Sequence, residues 1–299
     1  MTRPPALAWL AIAVTVTIWA SFLVVTRAAM TSQLGPVEVG LIRSGVGALF
    51  FLPLILRRGL RPPGAGWREL TLIPLCGGFL FVIFLGLGLQ RAPVADSGVF
   101  TPSMLPVYVA VLSALFLGER FTRLRLAGFA LIVFGAVAVG GFSALSRSGD
   151  VWSGHLLFTL ASISWAVYTL VFRLSGLRAE DGAAILSFWS ALAFLAVGLF
   201  TGISFAGVGA GPLAIQILFQ GVLSGFVANF TFFYAVHHLG PSRSAAFAAL
   251  VPVLAALGGW LFLGEPIGLL KATGIAIVVA GVLLASGVFR ARSTSGLRP

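Results

Sequence analysis

The sequence predicts an all-α integral membrane protein with ten transmembrane helices, arranged as two five-helix repeats of inverted topology. Three observations carry that prediction: the shortage of charge, the spacing of the charges present, and a repeat at one fixed offset. Apolar residues make up 59% of the chain and charged residues 9%, against roughly 25% charged in a soluble domain. So little charge cannot cover a compact surface in water. A bilayer is the solvent such a surface requires.

The charges punctuate the chain. Between Arg3 and Arg27 lie 23 uncharged residues, and similar runs separate Glu69 from Arg91, Asp96 from Glu119, Arg125 from Arg147 and Asp150 from Arg173. Each run matches the roughly 20 apolar residues that a helix needs to span hydrocarbon. A membrane β-barrel would instead need strands of about 10 residues alternating apolar and polar, whereas these runs are apolar all round. The expected spans are 5–28, 36–56, 69–90, 96–117, 124–143, 152–173, 182–203, 212–235, 242–263 and 269–289. The uncharged stretch 182–242 is divided at Gly207-Val208-Gly209-Ala210-Gly211-Pro212, where glycines and a proline interrupt a helix. The first span is too long for a signal peptide and lacks a polar cleavage region, so it is expected to be retained.

A net charge of +11 raises the question of nucleic acid, but the distribution answers it. With ten spans, both termini and the even-numbered loops share one side, which holds 14 of the 19 Lys and Arg, among them Arg3, Arg57, Arg58, Arg61, Arg120, Arg178, Arg243 and Arg290. This asymmetry is the positive-inside rule. It places both termini in the cytoplasm of a bacterial-type inner membrane, with the lipid bilayer rather than nucleic acid as the partner of the basic charge. Cys76 stands alone, so no disulfide framework exists within the chain, and it reads as a small packing residue.

The phrase Leu-Phe-Leu-Gly-Glu ends at Glu119 and again at Glu265, an offset of 146 residues. The same offset relates Trp19 to Trp165, Phe22 to Tyr168, Arg27 to Arg173, Pro106 to Pro252, Gly128 to Gly274 and Gly135 to Gly281. The chain is therefore duplicated, as repeats over 1–146 and 147–299. Five spans per repeat is an odd number, so the second copy enters the membrane inverted. Inverted repeats are characteristic of secondary transporters, with the substrate site where the halves meet. Gly118-Glu119 and Gly264-Glu265 read as corners between the fourth and fifth helix of each repeat. Glycine suits the left-handed residue that ends a helix, and glutamate the positive start of the next.

The segment "GLGLQRAPVADSGVFTPSMLPVYVAVLSALFLGERFTRLRLAGFALIVFGAVAVG" and its echo at 232–286 resemble the repeat of the drug/metabolite transporter superfamily, and within it the ten-helix EamA-type branch. Trp19, Arg43, Pro106, Gly118-Glu119 and Gly128 carry the resemblance in the first copy; Trp165, Pro252, Gly264-Glu265 and Gly274 carry it in the second. Two departures exist: Trp189 stands where the first copy has Arg43, and Pro266 follows the second glutamate. The resemblance implies ATP-independent export or exchange of small metabolites, often amino acids. It also contributes the expectation that the first, third, fourth, sixth, eighth and ninth helices line a cavity.

The residues exclude other chemistry. Lys271 is followed by Ala272, so the phosphate loop with its Gly-Lys-Ser/Thr ending is missing. With three His and one Cys, and no carboxylate cluster in a span, neither a metal site nor any other cofactor is expected. Neither is enzymatic activity.

Polar and aromatic residues at depth are the expected substrate contacts. Trp19 and Trp165 lie near mid-membrane, accompanied by Phe22 and Tyr168. The third and eighth helices add Phe79, Ile83, Ser224, Asn229 and Phe230 beside small residues Gly77, Gly78, Gly221 and Gly225. Asn229 needs a partner, a substrate or another helix, because an unpaired amide in hydrocarbon is costly. In "FTPSMLPVY", Pro102 and Pro106 free backbone carbonyls, which with Thr101 and Ser103 suit an ammonium group stacked on Tyr108. Pro252 repeats the kink, giving three expected hinge prolines. Packing alone is the competing reading for each of these residues.

Arg43 lies within the second span, and Glu38, five residues earlier, is an imperfectly spaced partner. A structural pairing is expected for it. Asp96 reads as a residue of the outer mouth or a solvated loop, and His237 and His238 as solvated. No carboxylate sits at the midplane, which favours facilitated export over proton coupling. Together the readings give a transporter of small molecules working by alternating access, facilitated or gradient-driven, with neutral and aromatic amino acids as leading substrates. Lipophilic cations are the rival substrate class, and a non-transporting scaffold or a channel the rival of another class. A monomer is compatible with all of this.

Overall fold

The computed structural model describes residues 6–32, 34–146 and 150–288. Among the sequence expectations, the charges Arg3, Arg147, Arg290, Arg292 and Arg298 lie outside them. Among the described residues every regular element is a helix, and there is no strand. Nine helices are long and apolar enough to cross a membrane: α1 (Ala6–Met30), α2 (Pro36–Arg58), α3 (Trp67–Arg91), α4 (Val94–Leu117), α5 (Arg123–Ser146), α6 (Val151–Ser175), α7 (Ala179–Thr201), α8 (Ala210–Leu239) and α9 (Ser242–Leu263). A shorter apolar helix, α10 (Leu269–Ala285), completes the set. Each expected span coincides with one helix, because in hydrocarbon a helix is the local solution that pairs every backbone group.

Alternate helices run in opposite directions. One face, here the terminal face, carries the start of α1 and the end of α10. The opposite face carries the end of α1 and the start of α10. The two corners end identically: Gly118 and Gly264 both adopt φ 66° and ψ 20°, a left-handed conformation that glycine adopts without steric cost.

The repeat governs irregularities as well as helices. A π-helical stretch, Ile73–Leu80, widens α3, and another, Ile217–Val227, widens α8 at equivalent positions. The fourth helix of each repeat is broken in two. In α4 a short helix Val94–Gly98 and a π-turn Val99–Ser103 precede Leu105–Leu117; in α9 Pro241–Ala248 precedes Val251–Leu263. Pro106 and Pro252 occupy the first turn of the second segments, where a missing N–H breaks no helical bond. They start helices rather than kink continuous ones. Of the three expected hinge prolines, Pro102 alone sits inside an element, the π-turn.

Glycine brings the repeats together. A Cβ on Gly128 would lie 2.5 Å from the Ala285 backbone nitrogen, and one on Gly281 2.7 Å from that of Ile132. At Gly135 it would meet Val278 Cγ2 at 2.7 Å, and at Gly274 it would meet Val139 Cγ2 at 2.6 Å. Thus α5 and α10 cross in close contact, each presenting two glycines at equivalent positions, as small-residue interfaces permit in a bilayer. Gly128→Leu is expected to destabilise the protein by about 1–3 kcal/mol or more, the usual cost of overpacking. Gly141→Leu on the same helix, where a Cβ meets nothing within 4 Å, is expected to be near neutral. Thermal unfolding in detergent checks both.

Candidate functional site

Two faces, related by the repeat, are built from the same positions and closed to different extents. On the opposite face, Arg27 at the end of α1 donates through Nε to Glu265 Oε1 at 3.0 Å. Its Nη1 also donates to the Leu89 carbonyl. Glu265 Oε2 accepts from the Val94 backbone N–H, the first amide of α4, at 2.8 Å. One guanidinium and one carboxylate thereby tie α1, α3, α4 and the α9–α10 corner together. Their side chains are only 15% and 12% exposed. On the terminal face the repeat-related pair is Arg173 with Glu119, at 2.7 Å, but there the side chains are 57% and 32% exposed. Each repeat's arginine thus holds the other repeat's corner. The corner glutamates were expected to serve the helix that follows them; instead they bind the partner repeat.

Beside Arg27–Glu265 lies a second charged cluster. Asp96 on α4 is 0% exposed. Its Oδ2 accepts from His155 Nε2 of α6 at 2.8 Å, and its Oδ1 lies 2.7 Å from Lys271 Nζ of α10. His155 and Lys271 are themselves buried, and the Phe100 ring stacks on the imidazole with centroids 4.7 Å apart. The expectation of a solvated Asp96 is therefore wrong: the short segment Val94–Gly98 turns it inward, between two helices that supply the compensating groups. Sequence reading passed over His155 and Lys271. The available signal was depth, since Asp96, His155 and Lys271 all stand a few residues inside the same face of three different spans.

The positions 146 residues from this cluster are Trp9 for His155, Ser242 for Asp96 and Arg125 for Lys271. On the terminal face Trp9 and Ser242 are exposed. A cavity of ≈470 Å³ is lined there by Trp9, Ser242, Arg243, Phe247 and the turn at Gly287, among others. The Trp9 and Phe247 rings are 5.4 Å apart. Arg125 packs over the Phe121 ring at 5.1 Å instead of facing a carboxylate.

Between the faces, the structure gathers part of the expected substrate set. Phe22, buried, and Trp19, Phe79, Ile83 and Trp165, half-buried, share one apolar cluster. Trp19 packs on Phe232 at 5.1 Å, and Trp165 on Phe81 at 4.5 Å and Tyr168 at 5.2 Å. Tyr168 covers Gly77, where a Cβ would lie 2.6 Å from its ring. Arg43 reaches this region: its guanidinium lies 4.6 Å above the Phe22 ring and donates to Ser224 Oγ at 2.9 Å. Glu38 is not its partner. That carboxylate accepts from the Gly35 N–H at 3.1 Å, capping the start of α2, because five residues of separation point the two side chains apart.

Other expected residues stand elsewhere. Asn229 is exposed and its amide donates to the Gly225 carbonyl of its own helix at 2.8 Å, so its partner is neither another helix nor the aromatic cluster. Phe230 is 61% exposed and packs on Phe226. Tyr108 belongs to a separate apolar cluster. The carbonyls near Pro102 are engaged within the protein: Ser103 Oγ donates to Gly98 O at 3.0 Å and Ser162 Oγ to Thr101 O at 2.8 Å. An ammonium cage from those carbonyls does not form here. The Thr101 hydroxyl is buried without a partner. His237 and His238 are exposed at the end of α8, as expected.

Paired inverted repeats, matched helix breaks and faces closed to different extents define a membrane transporter fold. Residues 6–141 and 152–287 each match the EamA-like transporter family, and the chain belongs to that family. Its members are transporters and not enzymes. An uncharacterized transporter of Archaeoglobus fulgidus is 26% identical over 284 residues, covering 92% of this chain and 97% of that one. A protein of Streptantibioticus cattleyicolor named "Probable terminal-alkyne amino-acid exporter" is 28% identical over 312 residues, covering 94% and 98%. A crystal structure with 22% sequence identity shares the fold, with a TM-score of 0.63 over 93% of this chain and 96% of its own.

The two Arg–Glu pairs predict unequal sensitivity to one change. Glu265→Gln, which weakens a buried charge-assisted pair, is expected to cost about 1–3 kcal/mol. Glu119→Gln, at the exposed pair, is expected to cost about 0–1 kcal/mol. Comparison of unfolding temperatures in one detergent measures the difference.

Proposed function

We propose that the protein exports small metabolites, with neutral and aromatic amino acids foremost, by alternating access between its two repeats. The observation that carries this reading is the unequal closure of repeat-related positions. Trp9 and Ser242 line a cavity on the terminal face, while their counterparts His155 and Asp96 are sealed on the opposite face. If the repeats exchange conformations, the sealed set opens and the cavity closes. The positive-inside asymmetry makes the terminal face cytoplasmic, so the state described is the one that loads substrate from the cell interior. The repeats divide the chain at 1–146 and 147–299, and the breaks at Pro102, Pro106 and Pro252 are the hinges.

The cavity chemistry supports the substrate class. Arg243 offers a cation for a carboxylate, and Trp9 and Phe247 offer ring faces for an apolar side chain. Farther in, the cluster of Trp19, Phe22, Phe79, Ile83 and Trp165 continues the aromatic surface. A lipophilic cation would meet Arg243 at the entrance and Arg43 beyond it, which disfavours that rival. A channel needs a path open at both ends, and a scaffold needs neither matched breaks nor a one-sided cavity. The amino-acid exporter among the relatives points the same way.

The test is efflux of labelled phenylalanine and threonine from proteoliposomes. Saturable flux is expected, with Trp19→Ala or Trp165→Ala reducing it tenfold or more, against Leu115→Ala on an exposed surface as control. No flux of either solute from folded protein would overturn the amino-acid reading.

A further inference from the structure

The reciprocal Arg–Glu pairs occur on both faces, as a duplicated fold requires. The cluster of Asp96, His155 and Lys271 occurs on one. Its counterparts on the terminal face, Ser242, Trp9 and Arg125, contain a cation but no anion and no imidazole. Whatever the cluster does is needed only on the side away from the termini.

With Asp96 ionised and Lys271 protonated, its charges balance only while His155 is neutral. The imidazole Nε2–H donates to the carboxylate, so a neutral His155 leaves its Nδ1 unprotonated. The Asp96 anion and the Lys271 cation then cancel. Nδ1 faces Gly140 of α5, where a Cβ would lie 3.5 Å away, and Phe100 covers the ring. The elements packed on the cluster bring no further anion. Asp96 comes from α4, His155 from α6 and Lys271 from α10, and Gly140 of α5 lies beside the imidazole; α1, α3 and α9, which also pack on Val94–Gly98, add Arg27 and Arg91 but no carboxylate at this face. At the corner Glu265 is already paired with Arg27, and Asp150 lies exposed 3.9 Å from Arg91. A second proton, on Nδ1 or on the carboxylate, would therefore leave one positive charge uncompensated in a dry site. A buried unpaired charge is not tolerated; admitting water to that face relieves it.

We propose that Asp96, His155 and Lys271 form a proton-binding lock. With His155 neutral it holds α4, α6 and α10 together and seals the opposite face. A proton taken by His155 releases it and favours the conformation open to that side. The lock does not depend on which solute is carried.

Hydrogen–deuterium exchange of the full chain in lipid nanodiscs, without solute, tests the lock. Protection is compared at pH 8.0 and pH 5.5 after correction for the intrinsic exchange rates. Protection of the wild type over 94–99 and 265–272 is expected to fall tenfold or more at the lower pH, while that over 240–247 rises as the terminal face closes. In His155→Gln the amide still donates to Asp96 but takes up no proton, so both segments should keep their protection at either pH. Wild-type protection that is unchanged or higher at pH 5.5 would overturn the proposal. So would a loss on both faces together, which is acid unfolding, or a folded His155→Gln protein that follows the wild type.

Discussion

The exchange of charges between repeats is the interaction on which the two faces depend. Arg27 reaches from the first repeat to Glu265 of the second, and Arg173 from the second to Glu119 of the first. Both pairs have the same chemistry at equivalent positions, yet one is largely withdrawn from water and the other is not. In a bilayer protein a charge withdrawn from water is kept only when it is paired and hydrogen-bonded. Glu265 meets that condition through Arg27 and the Val94 amide together. Both pairs are formed, and they differ in how far each is withdrawn from water.

Small residues set how closely the helices pack. The crossing of α5 and α10 is fixed by backbone contact at four glycines, leaving little freedom there. The broken helices α4 and α9 meet near their breaks, where a Cβ on Gly98 would lie 2.9 Å from Pro252 Cα. The molecule therefore has a tight glycine crossing on one side and segmented helices on the other. The aromatic cluster around Trp19 and Trp165 lies among the segments.

The candidate site was partly legible in the sequence, and the misses have one cause. Trp19, Phe22, Phe79 and Trp165 share one cluster with Ile83, because aromatic residues at mid-span depth must face either lipid or one another. Asn229 was misplaced because depth says nothing of direction around a helix, and its amide is satisfied by its own turn through Gly225. Arg43 was expected to be paired, and its contacts, Ser224 and the Phe22 ring, come from two other helices. Asp96 reads from the sequence as a residue of the outer mouth or a solvated loop because it stands at a span boundary, where a loop and a helix start look alike.

By itself the sequence determined the helices, their number, the duplication and hence the inversion. These follow from local rules: hydrocarbon demands helices of a fixed length, and an odd number of spans per copy inverts the second. It also determined that Glu119 and Glu265 share a role, since they share a phrase. Only the tertiary structure decided what that role is, that His155 and Lys271 close on Asp96, and how unequally the two Arg–Glu pairs are exposed. Those outcomes rest on which side chains meet across helices far apart in sequence, and on a symmetry that the chain encodes twice but the folded molecule breaks.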